Sequence, residues 1–116
     1  KEMMFVAISR ARQCRYCEAA HLACCRMLGI EPADLEVLIS NVTDISPPKV
    51  RDIILFGLKC ASSPQVLSDA DFERLRGHGL SASEITEIIS MSALAVYANV
   101  IADATGMEPD SMFSQF

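Results

Sequence analysis

Apolar residues recur along most of this chain at helical spacing. Residues 2–12 carry apolar side chains around the whole circumference of a helix, with charges only at the ends and at Arg10 and Arg12. This pattern predicts a largely buried helix. No stretch alternates apolar and polar residues for long enough to predict a strand. The sequence therefore predicts an all-α fold.

Capping and breaking residues set the expected helix boundaries. A second helix is predicted from Cys14 or Arg15 to Leu28, where Gly29 ends it. Proline, serine and glycine signals predict four more helices, at 32–41, at 47–60, from 68 to the glycines at 77 and 79, and at 81–105. About five to six helices joined by short turns are expected to form a bundle-like single domain over residues 1–116.

Composition narrows the classes of partner. Of the 116 residues, 51% are apolar and 22% charged, and the formal net charge is −5. This acidic balance, without a basic run, argues against nucleic acid and anionic membranes as partners. We expect no apolar run in the sequence to be close in length to the roughly 20 residues of a membrane-spanning helix. We therefore expect a cytoplasmic protein. The high apolar content also suggests surface that is buried between subunits.

Two thiols and an imidazole lie close together in the sequence. Cys14, Cys17 and His21 are spaced so that neighbours one helical turn apart can touch. The chain has five cysteines, an odd number, which does not suggest the paired disulfides of a secreted protein. We therefore expect the CxxC pair to be catalytic or metal-binding, and Cys24, Cys25 and Cys60 to be core residues. Among these three, Cys24 shares a helix face with Cys17 and His21.

The position of each thiol predicts its chemistry. Cys14 would lie at a helix N-terminus, where the helix dipole and the nearby Arg12 and Arg15 are expected to lower its pKa. We expect Cys14 to be the more exposed thiol, which exchanges with an external partner. Cys17, which lies deeper, would be activated through His21 acting as a base.

A metal site is the main chemical alternative, since Cys14, Cys17, His21 and Cys24 are all zinc-ligand types. On one continuous helix Cys14 and Cys24 would be about 15 Å apart, too far to share an ion. We therefore predict no metal and no cofactor. His78, between two glycines at a helix end, is expected to accompany the cap there.

The motif resembles that of a known family. Cys14-x-x-Cys17-x-x-x-His21, with Glu2 twelve residues before Cys14, is similar to the signature of the alkylhydroperoxidase D-like (AhpD-like, carboxymuconolactone decarboxylase) family, in its peroxidase-related branch. The similarity extends to residues 79–85, which resemble the turn into the family's long last helix. It also includes residues 99–106, which resemble the end of that helix.

The resemblance implies an all-helical homo-oligomer, often a trimer or hexamer, with thiol-dependent peroxidase activity. It assigns catalytic roles to Glu2, Cys14, Cys17 and His21, with Glu2 and His21 as a proton relay. The partners implied are a peroxide substrate and an external dithiol or disulfide reductant. Two departures from the family pattern concern Tyr16, where well-studied members have a histidine, and the helices that often precede this core, which we expect to be missing here.

Three functions follow from these observations. The first is a thiol peroxidase, an oxidoreductase in which one cysteine attacks the peroxide and the other closes a disulfide. The second is a decarboxylase-type enzyme of the same fold, against which the intact cysteine pair argues. The third is a helical oligomer that senses redox state through the disulfide without turnover.

Overall fold

A computed structural model describes all residues, 1–116, as six α-helices without a strand, which confirms the all-α prediction. The helices are α1 (Glu2–Ala11), α2 (Arg15–Met27), α3 (Pro32–Ser40), α4 (Pro48–Ser62), α5 (Asp69–Gly77) and α6 (Ala82–Ala104). Their ends lie within about two residues of the predicted ones, because the caps and breakers act locally. Short 3₁₀ turns at Val42–Asp44, Pro64–Val66 and Ser111–Gln115 were not predicted.

The first helix forms the centre of the core. Six consecutive residues of α1, from Met4 to Ser9, are buried, as its all-round apolar pattern predicted. The helix packs against α2, α4 and α6, with α3 at its side. Because this central stretch of α1 is enclosed, it has no solvent-facing stripe, and apolar residues occupy every position from Met4 to Ile8.

The approach of α4 to α1 and α6 depends on Gly57. A Cβ atom at this position would overlap the Met4 side chain and lie 3.2 Å from the Ser92 hydroxyl oxygen. All three residues are buried. The absence of a side chain at Gly57 therefore sets how closely these three helices pack.

The turn between α1 and α2 is a Schellman motif centred on Gln13. Gln13 has a left-handed φ of 61°, and its N–H donates to the Arg10 carbonyl at 3.0 Å. The N–H of Cys14 donates to the Ser9 carbonyl at 2.9 Å. This pair of bonds defines the motif. It makes Cys14 at once the last residue of this turn and the N-cap of α2.

The last helix is the longest and starts at a capping box formed by Ser81 and Glu84. Over 18 residues its mean hydropathy reaches 1.6, so it is long and apolar enough to cross a membrane. The expectation that no apolar run approaches that length was therefore wrong. Core helices meet the same criterion, and α6 packs against α1 and α4 with Ser92 and Asn99 buried on the packed face. Only 28% of the apolar window is buried in the protein.

Two further contacts join parts of the chain that are distant in sequence. The 3₁₀ turn Ser111–Gln115 packs on α2, where Phe113 meets Tyr16 edge to face with ring centroids 5.6 Å apart. His78 lies at the C-cap of α5, as expected, but its side chain pairs with Asp52 of α4 at 2.7 Å. That pair connects α4 to the end of α5, a role that the position of His78 alone did not indicate.

Candidate active site

Cys14 is completely buried, contrary to the expectation that it is the more exposed thiol. Its thiol donates to the Asn99 carbonyl of α6, with 3.9 Å between the sulfur and the oxygen. Burial raises the pKa of Cys14 to about 12, while the backbone N–H of Cys17 acts in the opposite direction. The expected lowering of this pKa was therefore wrong: Cys14 does lie at the helix N-terminus, but desolvation outweighs the dipole.

The arginines near Cys14 do not compensate for this burial. Arg12 and Arg15 are exposed, and the Arg15 guanidinium lies 3.9 Å from the carboxylate of Glu108 in solvent. Charges in water act weakly on a buried group because the solvent screens them. Cys14 is consequently a protonated thiol at neutral pH.

Cys17 occupies the first turn of α2 and is 5% exposed. Cys14 and Cys17 belong to one small buried cluster with Ala102, and both are free thiols. Unlike Cys14, Cys17 forms part of the wall of a surface pocket. Of the two sulfurs, that of Cys17 is therefore the one that a small molecule in the pocket meets.

The pocket lies between α2 and α6 and has a volume of about 350 Å³. Its wall is almost entirely apolar, with the thiol and the imidazole as its reactive groups. The residues that line it are Tyr16, Cys17, Ala20, His21, Tyr97, Ala98, Ile101, Ala102 and Met107. Such a surface suits an organic molecule with one reactive polar end.

His21 is positioned by α1 from two sides. Its Nδ1 atom lies 2.6 Å from Oε2 of Glu2, and both side chains are about one quarter exposed. The ring of Phe5 stacks on the imidazole, with centroids 4.6 Å apart and an angle of 13° between the planes. A hydrogen bond at Nδ1 and a stacked face fix the orientation of the ring and leave Nε2 to exchange a proton.

The structure thus brings all four predicted site residues into one region. Glu2 contacts His21 directly, His21 and Cys17 line the same pocket, and Cys14 lies behind Cys17. Cys14 follows Glu2 by twelve positions, a stretch that contains one helix and one tight turn, so that the start of α1 lies beside α2.

Three residues that support Cys14 were not assigned a role from the sequence. Ser9 accepts a hydrogen bond from the amide of buried Asn99 at 3.0 Å, and each of these two residues provides a backbone carbonyl to Cys14. The carboxylate of Asp103 also lies near the Cys14 thiol and raises its pKa further. In the sequence, these three residues could have been noticed as polar positions within the otherwise apolar runs of α1 and α6.

The other cysteines divide into two groups. Cys25 is completely buried in the core, where burial raises its pKa to about 11. Cys60 packs against the same core, and burial raises its pKa as well. Their assignment as core residues is confirmed. Cys24 is only partly buried and lies beside Glu2 and His21, so its assignment to the core was wrong.

Several solved structures are similar to this chain, and two of them are described as peroxidase-related proteins. One is an alkylhydroperoxidase AhpD core, a peroxidase-related protein from Ralstonia eutropha JMP134, with 34% identity and a TM-score of 0.89. The other is a peroxidase-related protein from Silicibacter sp. TM1040, with 30% identity and a TM-score of 0.89. Each match covers 97% of this chain.

The present chain spans only about 60% of the length of these two proteins. No protein-family model matches the chain, and no curated protein is significantly similar to it. The assignment of fold and family from the sequence motif is nevertheless confirmed by the two structures.

Proposed function

We propose that this chain, which belongs with the AhpD-like, peroxidase-related proteins in fold and sequence, is a thiol peroxidase with a redox dithiol. The observation that carries the proposal is the shared pocket of Cys17 and His21, with Glu2 bonded to the histidine and Cys14 behind the thiol. This arrangement supplies a nucleophile, a base that is itself oriented, and a second thiol.

In the first step His21 takes the proton of the Cys17 thiol. The thiolate attacks the terminal oxygen of the hydroperoxide ROOH, an S–O bond forms, and the O–O bond breaks. Sulfur is oxidised to the sulfenic acid, and the leaving alkoxide takes the proton from His21 to become ROH. Glu2 holds the imidazole in position and stabilises its positive charge while it carries the proton.

In the second step the Cys14 sulfur attacks the sulfenic sulfur of Cys17. An S–S bond forms, and the hydroxyl group leaves with the Cys14 proton as water. Because burial holds the pKa of Cys14 high, this thiol needs a nearby base. We assign this role to the carboxylate of Asp103, which lies near the Cys14 thiol and would pass the proton on to the leaving hydroxyl group. An external dithiol then reduces the disulfide by thiol exchange and restores both cysteines.

The pocket indicates the class of peroxide. Tyr97, Ile101 and Met107 provide apolar contacts beside Cys17, and the mouth of the pocket is open to solvent on α6. An alkyl or aryl hydroperoxide buries its organic part there, which hydrogen peroxide cannot do. We therefore expect kcat/KM to be higher for cumene hydroperoxide than for hydrogen peroxide.

Peroxide consumption with a dithiol donor tests the proposal. Cys17→Ser should abolish turnover, because no other thiol lines the pocket. Cys14→Ser should still react once, giving a sulfenic acid that dimedone traps at Cys17. Cys60→Ser, a control at a core thiol, should keep full activity. Full activity of Cys17→Ser would refute the assignment, and disulfide formation without turnover with any dithiol would favour a redox sensor.

We also propose a homo-oligomer in the cytoplasm, where free thiols persist. Large apolar side chains on α6 that do not line the pocket are exposed, with Leu94 and Val100 each about half exposed. A second copy would cover this face. Leu94→Glu should lower the mass measured by sedimentation. Val66→Glu, which changes an equally exposed apolar residue far from α6 in sequence, should not change it. A monomeric wild type would overturn this proposal.

A further inference from the structure

Glu2 and His21, the residues of the proposed proton relay, also form a cluster with Cys24. Neither cysteine of the CxxC pair belongs to this cluster. Glu2 belongs to the first turn of α1, and His21 and Cys24 lie three residues apart on one face of α2. One ligand atom from each of the three lies within 4.8 Å of the others. All three side chains are partly exposed, so an ion can reach them from solvent.

We propose that Glu2, His21 and Cys24 form a zinc-binding site whose occupation switches off the peroxidase. A carboxylate oxygen, an imidazole nitrogen and a thiolate are all ligands that zinc accepts, and three protein ligands leave a fourth position for water. The presence of nitrogen and sulfur favours zinc over magnesium or calcium, which prefer oxygen. The inhibitory part of this proposal rests on the proposed function.

The distances fit such a site after a small movement. With bonds of about 2.0 Å to oxygen and nitrogen and about 2.3 Å to sulfur, tetrahedral ligands lie about 3.3–3.5 Å apart. The Glu2–His21 contact of 2.6 Å must therefore open slightly. The Cys24 sulfur, which lies at most 4.8 Å from the other two ligand atoms, must move inward by at most about 1.3 Å. Partly exposed side chains can make such movements, and the stacked Phe5 ring keeps His21 in the same region.

Cys24 has no evident role in the peroxide reaction. It is seven residues from Cys17, about 10.5 Å along α2, which is beyond the reach of a disulfide. Nor does it line the peroxide pocket. Because Cys24 lies close to Glu2 and His21, we assign it the role of binding a metal ion together with them.

Zinc binding would remove the base from the relay. The Cys24 thiol releases its proton to solvent as the zinc–sulfur bond forms, and no group is oxidised or reduced. His21 and Glu2, once bound to zinc, can no longer carry the proton of Cys17. The dithiol itself remains reduced, so a chelator should restore activity without a reductant.

Direct metal binding is measured first, on the fully reduced protein without oxygen, with cobalt as a visible probe and zinc as its competitor. The wild type should bind one cobalt ion with a thiolate-to-cobalt absorption band, which zinc displaces. Cys24→Ser should lose that band and weaken zinc binding at least tenfold, whereas Cys60→Ser should match the wild type. An unchanged band in Cys24→Ser, or loss of the band in Cys17→Ser alone, would overturn the site.

Activity is measured second, with each variant compared with its own zinc-free rate. Zinc should inhibit the wild type and Cys60→Ser at concentrations that leave Cys24→Ser active. Equal inhibition of all three would mean that zinc acts at the CxxC pair and would overturn the inhibitory role. If no variant consumes peroxide, the proposed peroxidase function fails, while the cobalt and zinc titrations still decide whether the metal site exists.

Discussion

Replacing Gln13 by glycine should stabilise the protein. Gln13 is exposed, has a left-handed φ of 61° and has no hydrogen bond from its side chain. An ordinary residue in this conformation costs about 1–2 kcal/mol. Glycine removes this cost, but it also makes the unfolded chain more flexible, which lowers the stability of the fold by about 0.4–1 kcal/mol. The free energy of unfolding should therefore rise by about 0.5–1 kcal/mol.

Thermal unfolding followed by circular dichroism measures this effect at one fixed protein concentration. For a chain of this length the gain corresponds to an increase in Tm of about 2–4 °C. Gln13→Gly should also leave the rate at which Cys17 reacts with a thiol reagent unchanged, because glycine keeps the same backbone turn. The position of Cys14 after the turn would be preserved in the same way.

Gly29 provides the matched control. It occupies the corresponding position after α2, with a φ of 77°, and its N–H donates to the Arg26 carbonyl. A Cβ atom at Gly29 would contact nothing within 4 Å, so Gly29→Ala tests conformational strain alone. It should lower Tm by a similar amount. A lower Tm in Gln13→Gly, or no change in Gly29→Ala, would refute the account of this turn.

Three further predictions concern packing, charge and thiol reactivity. Gly57→Ala should lower the free energy of unfolding in urea by about 1–3 kcal/mol because the new methyl group overlaps a buried methionine; a stability equal to wild type would contradict this. Burial raises the pKa of Asp52, but hydrogen bonds from its histidine and arginine partners outweigh this and lower it. The stability that Asp52 contributes is therefore present above about pH 4 and is lost as the pH falls through the lowered pKa. The difference in the free energy of unfolding between the wild type and Asp52→Asn should accordingly become smaller in acid. A difference that does not change with pH would contradict this. Iodoacetamide at pH 8 should modify Cys17 before Cys14, because the Cys14 pKa of about 12 leaves only about one molecule in 10⁴ with this cysteine as thiolate. Peptide mass spectrometry measures the order, and modification of Cys14 first would contradict this prediction.

The helices and their limits followed from the sequence because their signals are local. The proline at position 32, the serine at 81 and the glycine at 29 act on the backbone within a few residues, and the structure confirms each boundary to within about two. The solvent exposure of the two CxxC cysteines could not be predicted from the sequence in this way. Whether Cys14 or Cys17 faces solvent depends on α6, which lies some 85 residues further along the chain.

The spacing of Cys14, Cys17 and His21 along α2 was determined by the sequence alone, since a helix fixes which residues share a face. Only the tertiary structure decided that Cys14 is desolvated against α6 and that Cys24 lies beside Glu2 and His21. Desolvation and ligand clustering depend on groups from different helices, which no periodicity within one segment encodes. For that reason the candidate site residues could be named from the sequence and its family resemblance, whereas the burial of each thiol, from which we infer the order of their action, required the packed structure.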